Sequence, residues 1–199
     1  MSLKHFMAMA LAVLALAGCR SESPVEFPPL SFVRYQPIHM DVSNIENVEE
    51  YKSPQREPYV EHLMPYAPAE AVRLWVKDRL RAVGMEKTLQ VIIREGSVVS
   101  VPIRKDTAVG DLVTLNRDKR YDAKLEVELR VYGTQSAISE SNVSVSATRS
   151  ITIPEKASAN RREALMRQMI SDLMETVNAE LEKNMHLYMS GNIAYTKMP

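Results

Sequence analysis

The sequence predicts an α+β two-layer sandwich: a four-stranded sheet covered on one face by two helices, in the order β-α-β-β-β-α. Three observations carry this. From Tyr121 to Tyr132, apolar and polar residues alternate without a break. Two other segments place apolar residues every three or four positions, the spacing of a helix with one buried stripe. Strands with one apolar face need one cover layer, and two amphipathic helices supply it.

The first strand rests on Ile38, Met40 and Val42. Ile45 and Val48 continue it out of phase, which places an irregularity near Ser43 and Asn44. Residues 51–68 hold Pro54, Pro58, Pro65 and Pro68 together with Tyr51, Tyr59 and Tyr66, and fit no regular element. The first helix is expected over 69–83. Pro68 suits its first turn, Glu70 faces the positive end of the dipole, and Gly84 suits a left-handed stop. Its stripe is Val72, Trp75, Val76, Leu80 and Val83.

In the second strand Leu89, Val91, Ile93, Val99 and Val101 share one parity, interrupted at Glu95-Gly96-Ser97 where a bulge is expected. The third strand is the alternating segment above. The fourth sets Val143, Val145, Ala147, Ile151 and Ile153 against serines and threonines. The crossover helix makes strands one and two parallel, and strands two to four form a meander. A final helix over 161–188 has Asn160 and Glu163 at capping-box spacing and a stripe from Met166 to Tyr188. At ~1.5 Å per residue it outruns the sheet, so Met185, Tyr188 and Met189 are expected to overhang.

The chain has 199 residues, 45% of them apolar, with 25 Lys+Arg against 25 Asp+Glu. This is the composition of one globular domain, and its neutral balance offers no field for nucleic acid. The single cysteine, Cys19, excludes an intrachain disulfide and a cysteine-based zinc or redox site. No cofactor or metal is expected: His39, His62 and His186 have no ligand spacing, and no phosphate loop, nucleophile elbow or H-E-x-x-H helix occurs. An enzyme is not expected.

The first residues carry an address. Lys4 is followed by an apolar run from Phe6 to Ala17, then Gly18 and Cys19, which is the order of a secretory signal. A helix of that run rises only ~18 Å, too short for a bilayer core of ~30 Å. Leu16-Ala17-Gly18-Cys19 resembles the lipobox of bacterial lipoproteins. The resemblance implies cleavage after residue 18, acylation of Cys19, and a membrane anchor that needs nothing from the folded domain. Arg20 stands where an Asp would resemble an inner-membrane retention signal, which favours the periplasmic face of the outer membrane. The expected organisation is a signal peptide over 1–18, a lipidated, proline-containing tether over 19–37, one domain over 38–190, and a tail over 191–199.

The element order after a lipobox and a short tether resembles the lipoprotein subunit of the outer-membrane lipopolysaccharide translocon and the auxiliary lipoproteins of ABC-type lipid transporters. The stretches DVSNIENVEEY, AEAVRLWVKDRLRAVG and RYDAKLEVELRV are also similar to proteobacterial lipoproteins of uncharacterised type. These resemblances imply a non-catalytic accessory or binding subunit in envelope assembly or in lipid or lipopolysaccharide transport. The alternative is a periplasmic lipid carrier with an apolar cavity between helices and sheet.

Candidate residues follow from position. An envelope protein partner is expected to bind through one of three routes: Tyr51, Tyr59 and Tyr66 of the proline-rich loop, an exposed strand edge, or the Met-rich helix end with Met185 and Tyr188. Arg104, Lys105, Arg117, Lys119 and Arg120 cluster at the two roots of the connection between strands two and three, a patch suited to anionic headgroups. Arg149 shares the apolar parity of its strand, so a carboxylate partner is expected from Glu95, Asp172 or Glu175, with Arg149 and Glu95 the candidate buried pair.

Overall fold

The computed structural model describes residues 25–103, 118–133 and 138–194. Cys19, Arg104, Lys105 and Arg117 lie outside the described residues. The elements are β1 (Ile38–Met40), β2 (Asn44–Glu49), α1 (Pro68–Arg79), β3 (Leu80–Ala82), β4 (Thr88–Pro102), β5 (Lys119–Tyr132), β6 (Ser139–Ile153) and α2 (Ala159–Tyr188). The main sheet has the order β2-β4-β5-β6. β2 runs parallel to β4, and β4, β5 and β6 form an antiparallel meander. Both helices cover one face, and their core is continuous from Phe32 to Met189.

β5 is the central strand in practice as well as in pattern. Tyr121, Ala123, Leu125, Val127, Leu129 and Val131 are all buried, while its other parity faces outward. Around them pack Trp75, Leu89, Ile170, Leu173, Met174 and Val177, each 1% exposed or less.

Several sequence expectations are corrected. The first strand is two strands. Val42 N–H bonds back to the Met40 carbonyl at 2.8 Å, a γ-turn that ends β1 and redirects the chain to a different sheet. The first helix stops at Arg79, because Leu80 turns extended and β3 pairs in parallel with β1. Gly84 is therefore no helix stop. A Cβ there would meet the Asp41 carbonyl carbon and the Val42 nitrogen at 2.6 Å, so the residue is small because two backbones touch. In β4 the irregularity falls between Ile93 and Glu95, leaving Arg94 as the extra residue. Core parity flips beyond it, so Val98 is buried whereas Val99 and Val101 are only half-buried. The α2 cap is Ser158, whose hydroxyl accepts from Arg161 N–H at 3.3 Å, in place of the Asn160 and Glu163 box.

The packed body also extends past 38–190 at both ends. Residues 27–36 lie along the helix layer as a strap, with Phe32 2% exposed in the core. Residues 190–194 turn back after α2, where Ile193 bridges Met40 and Asn192 is buried.

Candidate functional site

The proline-rich loop singled out by sequence lies at one end of the domain, where it meets β4 and the strap. β2 covers the edge of β4 only over Thr88–Ile93. Beyond the bulge the loop takes over that edge: Val60 N–H donates to the Val98 carbonyl at 2.8 Å, Ser100 N–H to the Pro58 carbonyl at 2.8 Å, and Tyr59 bridges Val99. An edge that would template foreign strands is thereby closed.

A buried carboxylate holds the loop in this place. Glu61 is 3% exposed. It accepts from the Tyr51 hydroxyl at 2.8 Å and from Val98 N–H at 3.3 Å. Burial alone would raise this carboxyl, but hydrogen bonds from Ser53, its own backbone, Tyr51 and Val98 outweigh it and hold Glu61 below its ordinary value. Burial and the same carboxylate push the Tyr51 phenol well above its usual range.

The three tyrosines consequently have different roles. Tyr51 is a structural donor to Glu61. Tyr59 lines an outward-opening cleft of about 310 Å³ with His62, Met64, Lys119 and Met166. Tyr66 accepts from the strap at Leu30 N–H, 3.3 Å, and its ring lies 5.0 Å from the Arg167 guanidinium carbon. Phe27 packs against the same guanidinium at 5.2 Å. Between strap and α2 lies a second cleft, of about 470 Å³, lined by Phe27, Leu30, Arg34, Tyr66, Arg167 and Gln168.

At the far end of α2, Tyr188 is 69% exposed, but Met185 is fully buried. The expected overhang of Met185 and Met189 is corrected: the returning 190–194 segment covers the helix end, and both thioethers join the core.

The candidate buried pair is also corrected. Arg149 and Glu95 do not meet, because the bulge turns Glu95 to the outer face opposite Glu126. Arg149 instead lies 3.7 Å from Asp172 on α2, with both side chains more than a third exposed. The buried guanidinium is Arg79, at 1%. It donates to Asn178 Oδ1 at 3.1 Å, to Glu182 at 2.6 Å and to the Gln36 carbonyl, and it lies over the Tyr35 ring at 5.1 Å. Sequence reasoning missed it, although Arg79 follows Trp75 by four residues and Val76 by three, on the apolar stripe.

Through Arg79 the helices grip the strap. Asp78 accepts from Phe32 N–H at 2.7 Å and Ser31 Oγ at 3.1 Å, and Arg34 and Tyr35 both donate to Glu175.

Of the basic patch, the described part is Lys119 and Arg120 at the start of β5. The strand ends flanking this connection pair with each other, Ile103 N–H bonding the Asp118 carbonyl at 2.9 Å and Pro102 lying opposite Lys119. Arg120 is already paired with Asp122 at 3.0 Å. On the open sheet face Glu128 receives Arg94 at 2.7 Å and Arg130 at 2.5 Å. Burial opposes its charge, but the two arginines prevail and hold Glu128 below the ordinary carboxylate value.

Among the described residues, no group of three or more His, Cys, Asp or Glu side chains is placed to hold a metal, and no helix is long and apolar enough to cross a membrane.

No family model and no curated protein matches the chain. Among solved structures it is similar to a minor lipoprotein from Acinetobacter baumannii, at 14% identity over 79% of this chain and 99% of that one, with a TM-score of 0.33. It is also similar to a neuraminyllactose-binding hemagglutinin homolog from Helicobacter pylori, at 10% identity over 80% and 92% of the two chains, TM-score 0.35. A DUF330 protein from Xanthomonas campestris aligns at 10% identity over 76% and 98%, TM-score 0.28. Likenesses this distant do not extend to a shared role.

Proposed function

We propose that the chain is a non-catalytic lipoprotein, anchored through Cys19 at the periplasmic face of the outer membrane. Its α+β domain binds a protein partner in envelope assembly or in lipid or lipopolysaccharide transport. The docked strap is the observation that carries this reading. Because residues from Phe27 onward lie on the helices, the tether is short: Cys19 to Phe27 spans at most about 28 Å of fully extended chain. A lipid on Cys19 therefore holds the strap end of the domain close to the bilayer, and Tyr59 and the clefts around it lie at that end.

The carrier alternative needs room between helices and sheet. That space is filled by Trp75, Leu125, Met169, Leu173 and Met174, all 1% exposed or less, which favours the binding subunit. The cleft beneath the strap is what a carried amphiphile would use instead. Native mass spectrometry of the purified domain separates the two readings. A mass equal to the bare polypeptide supports the accessory, and co-purifying lipid overturns it in favour of the carrier.

A further inference from the structure

An exposed leucine and a set of unpaired cations share the end of the domain that receives the tether. The strap begins at Phe27, whose ring lies 5.2 Å from the Arg167 guanidinium carbon. Arg167 follows Ala159, the first residue of α2, by two turns, so the tether meets the body ~12 Å from the start of that helix. Two outward-opening clefts adjoin there, of about 310 and 400 Å³, and Leu63, Met64 and Met166 line both. Leu63 stands between them, 68% exposed. It ends the short turn Glu61–Leu63, which the buried Glu61 carboxylate pins to β4 through Val98 N–H, so its exposure is fixed by the fold.

Arg56 and Lys119 line one cleft, and Arg162 and Arg167 the other. The carboxylates that line them are Glu57 and Glu163, and Glu163 is taken by Arg167 at 2.7 Å. Among the described residues no carboxylate pairs with Arg56, Lys119, Arg161 or Arg162. Arg161 and Arg162 lie in the opening turn of α2, which holds no acid although the helix dipole favours one there, so they do not serve the helix.

We infer that this end of the domain lies on the bilayer that holds the anchor. Leu63 enters the interface, and Arg56, Lys119, Arg161 and Arg162 meet anionic phospholipid headgroups. The tether selects this occupant. Cys19 to Phe27 spans at most about 28 Å, and attraction between exposed charges fades over ~8 Å in physiological salt, so a surface must be held close to act. A lipid on Cys19 holds this end close and not the other, since Tyr188 lies about 30 Å beyond Arg167 along α2. An apolar side chain among cations binds an anionic interface by apolar burial and headgroup attraction together. An acidic soluble protein would meet the same cations, but no tether holds it within range.

This inference rests on the anchored reading and adds which surface meets the lipid, and its test needs no anchor. The chain from Arg20 onward, which holds every described residue, is sedimented without lipidation alongside vesicles of phosphatidylethanolamine and phosphatidylglycerol, or of phosphatidylcholine alone. Binding to the anionic vesicles is expected to be at least about tenfold stronger, and to be lost at about 1 M salt, where screening shortens to ~3 Å. Arg56→Ala, Lys119→Ala and Arg162→Ala are each expected to weaken it about fivefold, and Leu63→Ala several-fold. Lys77→Ala, which removes an exposed cation at the far end of α1, is expected to leave it unchanged. Equal sedimentation with both kinds of vesicle overturns the inference. A loss in Lys77→Ala equal to that in Arg162→Ala also overturns it, because the attraction would then be one of overall charge. Labelling at Cys19 is read separately, so failure here leaves the anchor standing, and failure of the anchor is seen without vesicles.

Discussion

Arg79 Nε lies 3.1 Å from Asn178 Oδ1, and the Trp75 indole N–H reaches the same oxygen at 2.8 Å. One buried amide on α2 thus satisfies two donors from α1. Asn178→Leu keeps the volume but strands both, at about 1–3 kcal/mol for each donor. Urea denaturation checks this, and Asn178→Asp, which restores the acceptor, is expected to recover much of the loss.

The strap is a fixed part of the fold. Phe32→Ala should destabilise the domain by about 3–5 kcal/mol, the range for a fully buried phenylalanine. Asp78→Ala should have a different effect. It removes the acceptor for Phe32 N–H and Ser31 Oγ, so limited proteolysis should open residues 27–36 first while the sheet stays protected.

Acid should weaken the domain through two carboxylates. Glu61 and Glu128 are both held below the ordinary value of 4.5. The folded state therefore binds fewer protons than the unfolded chain. The stability they contribute is complete above that ordinary value and is lost as pH falls through their folded values. Urea midpoints measured from about pH 6 down to about pH 3 should fall less steeply in Glu61→Gln and in Glu128→Gln than in the parent. Equal slopes in all three would contradict the assignment.

Gly84→Ala should destabilise by about 1–3 kcal/mol, because the new methyl meets main chain that cannot rotate away. A stabilised variant, as expected from reduced chain entropy at an unstrained glycine, would contradict the close approach.

The parts of this fold legible in sequence are those where one rule acts alone. β5 has a strand on each side and a helix layer on one face, so its alternation from Tyr121 to Val131 translates directly into burial. Legibility fails where two rules compete. Leu80 continues the spacing of the α1 stripe and also suits a strand, and only the distant pairing with Ile38 decides it. Arg94, as a bulged residue, reverses the parity of everything after it, which hid Val98 and removed Glu95 from Arg149. Arg79 is charged on an apolar stripe, and the partners that make its burial tolerable come from Gln36 and residues about a hundred positions away. Met185 belongs to an exposed helix end until residues 190–194 return over it. At the candidate site, the sequence marked the proline-rich loop as exceptional but not its task of closing the β4 edge, because that task depends on where β2 ends.

The most direct measurement is membrane fractionation with palmitate labelling of the full chain beside Cys19→Ser. The account predicts that the parent incorporates label and sediments with membranes, and that the variant incorporates none and appears in the soluble periplasmic fraction. A Cys19→Ser chain that stays with the membranes, or a parent that takes up no label, would contradict it.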